Sequence, residues 1–123
     1  MKISRKALLA ALVMTTASFA AVAEQGTKAT VSGWVIDSAC AFTKGLGKPI
    51  SKQCAVACAK NGSPLVIMQN DGTIFLPVSD RTPATAENQK LLPYAGQHVT
   101  VTGKQYMRGG SHALFIETIS RNN

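Results

Sequence analysis

The sequence predicts a mainly β domain, a five-stranded barrel with one or two short helices. Five short segments rich in β-branched and aromatic residues are separated by turn residues, which indicates five strands. A helix that carries two cysteines follows the first strand, and a second short helix separates the third strand from the fourth. This order of elements is typical of a partly open barrel of the OB type.

The first strand and the cysteine-bearing helix are indicated by local signals. Residues 30–37, TVSGWVID, have strand composition, and Gly33 within them is a position where the strand can bend sharply, as is Gly103 later in the chain. The Gly- and Pro-rich segment that follows is expected to be a loop. Ser51 is a suitable N-cap for a helix over residues 52–60, which an Asn-Gly pair ends.

Two hairpins are predicted to supply the other four strands. Residues 64–69 and 73–78 are apolar runs joined by Asp-Gly, which is a strong hairpin signal. Residues 97–107 alternate between apolar and polar side chains, and residues 112–119 follow them after a Gly-Gly turn. Residues 84–92 are expected to contain the second short helix.

The N-terminus predicts export. Three basic residues within the first six precede the apolar run 7–20, and Ala-Val-Ala then matches a cleavage site after Ala23. The apolar run is shorter than the roughly 20 residues needed to span a bilayer. We therefore expect residues 1–23 to be a cleaved signal peptide and the product to be periplasmic or secreted, with no membrane span after cleavage.

Residues 24–123 are expected to form a single domain with its core at about residues 30–119. The chain has 13 basic and 6 acidic residues, and loss of the three basic residues of the signal leaves 10 basic residues and a net charge of 10 − 6 = +4. These charges are scattered along the sequence. A nucleic-acid partner is therefore disfavoured, since such proteins carry clustered basic residues with interleaved aromatic side chains.

The three cysteines are predicted to form one disulfide. Cys54 and Cys58 share a helix face, with their Cβ atoms about 5–6 Å apart, which is more than the roughly 3.5–4.5 Å of a disulfide. Cys40, at the end of the first strand, is therefore the expected partner of Cys54 or Cys58. The bridge would close a loop of about 15–19 residues and contribute on the order of 3 kcal/mol. The residues leave open which helix cysteine is used and whether the third thiol is inert or reactive.

A thiol-redox or metal-handling protein is the alternative. Cys54 near a helix N-terminus would be a better nucleophile. Three cysteines with His98 or His112 could complete a zinc site, and thiolates also suit copper. The ligands are far apart in the sequence and C-x-x-C spacing is absent, so no cofactor is assigned.

No catalytic residues are assigned, because the sequence has no nucleophile elbow, phosphate loop or zinc-protease helix motif. Trp34 and Phe75 are candidates for a ligand-binding barrel face. The sequence therefore favours a small binding or accessory module over an enzyme, with an unknown protein or small molecule as its partner.

The segments GWVIDSAC, CAVAC, NGSPLVI, DGTIF and YAGQHVTVTG resemble small exported bacterial proteins of unassigned function, which are similar to periplasmic OB-like domains. The resemblance covers roughly residues 30–119 and implies an OB-like fold. The residues that carry it are Asp37, Cys40, Cys54, Cys58, Gly62 and Gly103. Many proteins of this kind have a histidine shortly after the first cysteine, where this chain has Ala, Phe and Thr at positions 41–43. This difference weakens a Cys/His metal site.

Overall fold

The computed structural model describes residues 26–123. Its elements are β1 (Thr27–Asp37), α1 (Ser38–Thr43), α2 (Lys52–Lys60), β2 (Leu65–Met68), β3 (Ile74–Pro77), α3 (Asn88–Leu91) with a following 3-10 turn (Leu92–Tyr94), β4 (His98–Arg108) and β5 (Ser111–Arg121). The expected signal peptide lies outside the described residues. Within the described part of the chain, no helix has the length and apolar character needed to cross a bilayer.

The five strands form one closed barrel in the order β1-β2-β3-β5-β4. Neighbouring strands are antiparallel except β3 and β5, which are parallel and begin their pairing at Phe75 and His112. The predicted five-stranded barrel of the OB type is therefore confirmed. The barrel is closed rather than partly open, because the β3–β5 pairing joins the two hairpins.

The barrel interior is filled by apolar side chains from every strand. Alternation along β4 places Val99 and Val101 inside, both fully buried, and Leu114 and Ile116 of β5 belong to the same cluster. A fully buried aliphatic side chain contributes about 1.5–3 kcal/mol. The main core consists of Val31, Val35, Ala55, Ala59, Leu65, Ile67, Phe75, Leu91, Ala95, Val99, Val101, Leu114 and Ile116.

Gly103 allows β4 to bend. The β4–β5 register shifts between Thr102 and Gly103, and a Cβ atom at Gly103 would lie 1.9 Å from the carbonyl oxygen of Phe115. Because only glycine fits this close approach of two backbones, the predicted bend is found at this position.

Residues 38–64, which we call the insertion, connect β1 to β2 across the outside and one end of the barrel. α2 places Ala55 and Ala59 in the main core. α1, in a segment predicted to be a loop, covers the outer wall of the barrel. There Ala41 and Ile50 pack in a second apolar cluster with Trp34, Ile36, Val66, Met68 and Ile74. The insertion therefore contributes to both apolar clusters.

Candidate functional site

The insertion brings the three cysteines together. Cys40 lies in the first turn of α1, while Cys54 and Cys58 lie one turn apart on α2. The side chains of Cys54 and Cys58 are hydrogen-bonded, and Cys40 is near enough to interact electrostatically with both. All three are partly buried. We call these residues the thiol cluster.

The cysteines differ from the sequence prediction in their covalent state. All three are free thiols, so the expected bridge from Cys40 to Cys54 or Cys58 is not formed in this structure. Cys40 is positioned by Asp37. Its backbone N–H donates to Asp37 Oδ1 at 2.8 Å, and its side chain is hydrogen-bonded to the same carboxylate.

Asp37 supplies a buried negative charge beside the cluster. It is the N-cap of α1 and is 4% exposed. Its Oδ2 atom accepts a hydrogen bond from Ser63 Oγ, in the segment between α2 and β2. Burial alone would raise the pKa of Asp37, but the hydrogen bonds from Ser63 and Cys40 outweigh it and hold the pKa below its ordinary value. Asp37 is therefore a carboxylate at neutral pH.

The surroundings keep two of the thiols protonated. Burial, the hydrogen bond to Asp37 and the negative charge of that carboxylate all raise the pKa of Cys40. Burial and the hydrogen bond with Cys54 raise the pKa of Cys58. Because the thiolate is the nucleophilic form, neither residue is suited to start an attack.

Cys54 is in a different position. It is the third residue of α2, and its backbone N–H donates to Oγ of the N-cap Ser51 at 3.2 Å. The partial positive charge of a helix N-terminus stabilises a negative charge in the first turn. Cys54 and Cys40 also line one small pocket of about 40 Å³.

That pocket has apolar walls and a basic rim. Its other lining residues are Ile36, Asp37, Lys44, Gly45, Lys48, Pro49, Ile50, Ser51 and Ala55. Among them the charged groups are the buried Asp37 and the exposed Lys44 and Lys48. The solvent side of the pocket is therefore positive.

The predicted histidine ligands lie elsewhere. His98 packs edge-to-face on Trp34 with ring centroids 5.1 Å apart, and its Nδ1 atom is 2.7 Å from the Asn122 amide. His112 packs on Phe75 at 5.3 Å. Among residues 26–123, no group of three or more His, Cys, Asp or Glu side chains is arranged to hold a metal ion. The proposed site of three cysteines with His98 or His112 is therefore not assembled.

Trp34 and Phe75 do not share a ligand face. In the β1–β2–β3 register, Trp34 aligns with Met68 and then Ile74 on the outside, whereas Phe75 aligns with Ile67 inside the barrel. Phe75 is 4% exposed and belongs to the main core. The expected pair is therefore split between the two faces of the wall.

An apolar groove on the outer wall was not predicted. It is lined by Phe42, Gly72, Ile74, Leu76, Gly110, Ser111 and His112. Phe42 is 70% exposed and Leu76 is 41% exposed. The available signal was the single aromatic residue in a segment interpreted as a loop.

The sequence analysis assigns no role at the thiol cluster to two polar residues, Asp37 and Ser63. Asp37 is the last residue of β1 and precedes Ser-Ala-Cys, which is the position of a helix N-cap. Ser63 lies 26 residues further along the chain, and no local pattern links it to Asp37. Comparison with protein-family models, curated proteins and solved structures finds no match to this chain.

Proposed function

We propose that this protein is an exported binding or accessory module of the OB type that holds a partner in the groove on its outer wall. The observation that carries the proposal is the exposure of Phe42 and Leu76 beside Ile74 and His112. The interior is filled by the main core, so a partner would bind outside the barrel. In OB barrels the outer face of strands 2 and 3 and the adjoining loops are the usual binding region.

The dimensions of the groove favour an apolar side chain of a protein partner. Its volume is about 260 Å³, which is slightly below the roughly 300–1,000 Å³ of small-molecule sites. Phe42 gains little stabilisation from folding, because most of its ring stays in water. Burial of this ring against a partner would recover that free energy.

Photo-crosslinking in the producing cell tests this function. Benzoylphenylalanine in place of Phe42 is expected to give one adduct of discrete mass, and the same group in place of the exposed Glu117 on β5 is expected to give none. Leu76→Glu should remove the adduct without unfolding the chain. Equal labelling from both positions, or no adduct from position 42, would contradict the proposal.

Export is tested separately. Fractionation followed by intact-mass measurement is expected to find the chain outside the cytoplasm and beginning at Glu24. A full-length chain beginning at Met1 in the cytoplasm would overturn the predicted location. In an oxidising compartment, the proximity of Cys40 to the α2 cysteines supports the predicted bridge.

A further inference from the structure

The thiol cluster has a chemical arrangement that groove binding does not use. We infer that it is a thiol–disulfide exchange site for a small disulfide that bears carboxylates, with Cys54 as the attacking sulfur and Cys40 as the resolving sulfur. This activity goes beyond the proposed binding function and does not depend on the groove.

Cys54 is assigned the attack because of its position. It lines the pocket, whereas Cys58 does not, and it interacts with both other thiols. It lies in the first turn of α2, and Lys44 and Lys48 line the same pocket. Cys40 shares the pocket, but Asp37 holds its proton.

The exchange balances in two displacements. Cys54 loses its proton to water and attacks one substrate sulfur, so that a Cys54–substrate disulfide forms and the first substrate thiolate leaves and is protonated. The Cys40 proton then leaves through its hydrogen bond to the Asp37 carboxylate and passes to water. Cys40 attacks Cys54 Sγ, the second substrate thiolate leaves, and a Cys40–Cys54 disulfide remains. Two thiols of the chain are oxidised and the substrate disulfide is reduced to two thiols.

Cys58 is unsuited to the resolving step. Residues four apart on a helix have Cβ atoms about 5–6 Å apart, and a disulfide needs roughly 3.5–4.5 Å. A Cys54–Cys58 bridge would therefore unwind α2 at the turn that Ser51 caps. Cys58 is expected to remain a thiol throughout.

The pocket and its rim define the substrate class. The pocket has a volume of about 40 Å³, so most of a bound disulfide would lie over the rim. Lys44 and Lys48 are exposed there. A small disulfide with carboxylates near the sulfurs complements these charges.

The test uses the reduced full chain and glutathione disulfide, with acid quenching, intact-mass measurement and peptide mapping. The first glutathione adduct is expected on Cys54, followed by a Cys40–Cys54 bridge and release of two glutathione molecules per chain. Because this sequence of events is read in the unaltered protein, it does not depend on a variant that folds. A first adduct on Cys40 or Cys58, or a native reaction no faster than that of the unfolded chain, overturns the inference.

Variants separate the roles. Cys40→Ser should retain the Cys54 adduct, whereas Cys58→Ser should form the bridge as the unaltered chain does. Release of the second glutathione molecule from the Cys40→Ser variant would overturn the assignment of Cys40 as the resolving sulfur. Crosslinking from position 42 should be unchanged in both variants, so the two proposals can fail independently.

A charge reversal tests the substrate class. Lys44→Glu with Lys48→Glu should slow the reaction with glutathione disulfide by about tenfold and accelerate the reaction with the cationic disulfide cystamine. Lys60→Glu, at the other end of α2, is the matched control and should have little effect. If the charge reversal changed the rates with glutathione disulfide and with cystamine equally, the assignment of an anionic substrate would be overturned.

Discussion

The barrel interior and the insertion differ in almost every physical respect. The interior is built from alternating strands whose side chains are buried and apolar, such as Val99 and Leu114. The insertion contains short helices, all three thiols and the exposed ring of Phe42. Rigid scaffolds commonly carry their reactive and binding groups on connecting segments. The comparison teaches that the barrel supplies most of the buried apolar core, whereas the insertion carries the thiols and the exposed aromatic ring.

The largest expected effect tests the barrel side of this comparison. Leu114 is fully buried in the main core, so Leu114→Ala should lower the free energy of unfolding by about 2–5 kcal/mol. Leu46→Ala, at a position 40% exposed in the insertion, should change it by less than about 0.5 kcal/mol. Urea unfolding measures both. Similar losses of unfolding free energy in the two variants would contradict the distinction between the barrel interior and the insertion.

A second substitution tests how tightly the insertion is docked. Gly96 has a φ of +74°, and a Cβ atom there would lie 2.3 Å from the Cα of Lys52 at the start of α2. Gly109 has a φ of +55° and open space around it. Gly109→Ala should therefore lower the free energy of unfolding by about 1 kcal/mol through strain alone, and Gly96→Ala by roughly 2–3 kcal/mol. Equal losses in thermal or urea unfolding would show that α2 shifts freely.

The third prediction concerns the pH dependence of stability at Asp37, which lies where the barrel meets the insertion. The pKa of Asp37 is lower in the folded chain than its unfolded value of about 3.9. The contribution of Asp37 to the free energy of unfolding is therefore complete above the unfolded pKa. It is lost as the pH falls through the folded pKa. Asp37→Asn should therefore reduce the loss of unfolding free energy on acidification.

Urea unfolding between neutral and acidic pH measures this effect. Asp71, whose pKa is lowered by the backbone N–H of Thr73, titrates in both proteins and cancels in the comparison. Parallel pH curves for the two proteins would contradict the role of Asp37.

The smallest expected effect is at the N-cap of α2. Ser51 is exposed and accepts one hydrogen bond, from the N–H of Cys54. Ser51→Ala should lower the free energy of unfolding by about 0.5–1 kcal/mol. Ser120→Ala, on the exposed face of β5, is the matched control and should change the free energy of unfolding by only a few tenths of a kcal/mol. A larger loss in the control would contradict the capping assignment.

The sequence predicts elements whose signals are local. α2 has its predicted bounds, 52–60, because Ser51 caps one end and an Asn-Gly pair ends the other. α1 was missed because six residues are too few to show helical periodicity, and its main signal was one capping aspartate. The strands of the two hairpins follow from alternation and turn residues.

The site required information that is not local. The contact of Asp37 with Ser63 depends on how the insertion folds back, and the separation of Trp34 from Phe75 depends on strand register. The sequence does predict that Cys40 lies near the α2 cysteines, because the loop between them is short enough to fold back. It did not indicate that Asp37 would hold Cys40.

The ring of strands also governs how this chain must fold. β1 pairs with β4, as in the contact of Ser32 with Thr100, 68 residues apart, and the circle is complete only when β5 lies between β3 and β4. Proteins dominated by such distant pairings fold slowly, in about milliseconds to seconds. Until the last strand is in place, β3 and β4 each present an unpaired edge that can associate with other chains. Docking of β5 between β3 and β4 therefore removes both edges at which the folding chain could aggregate.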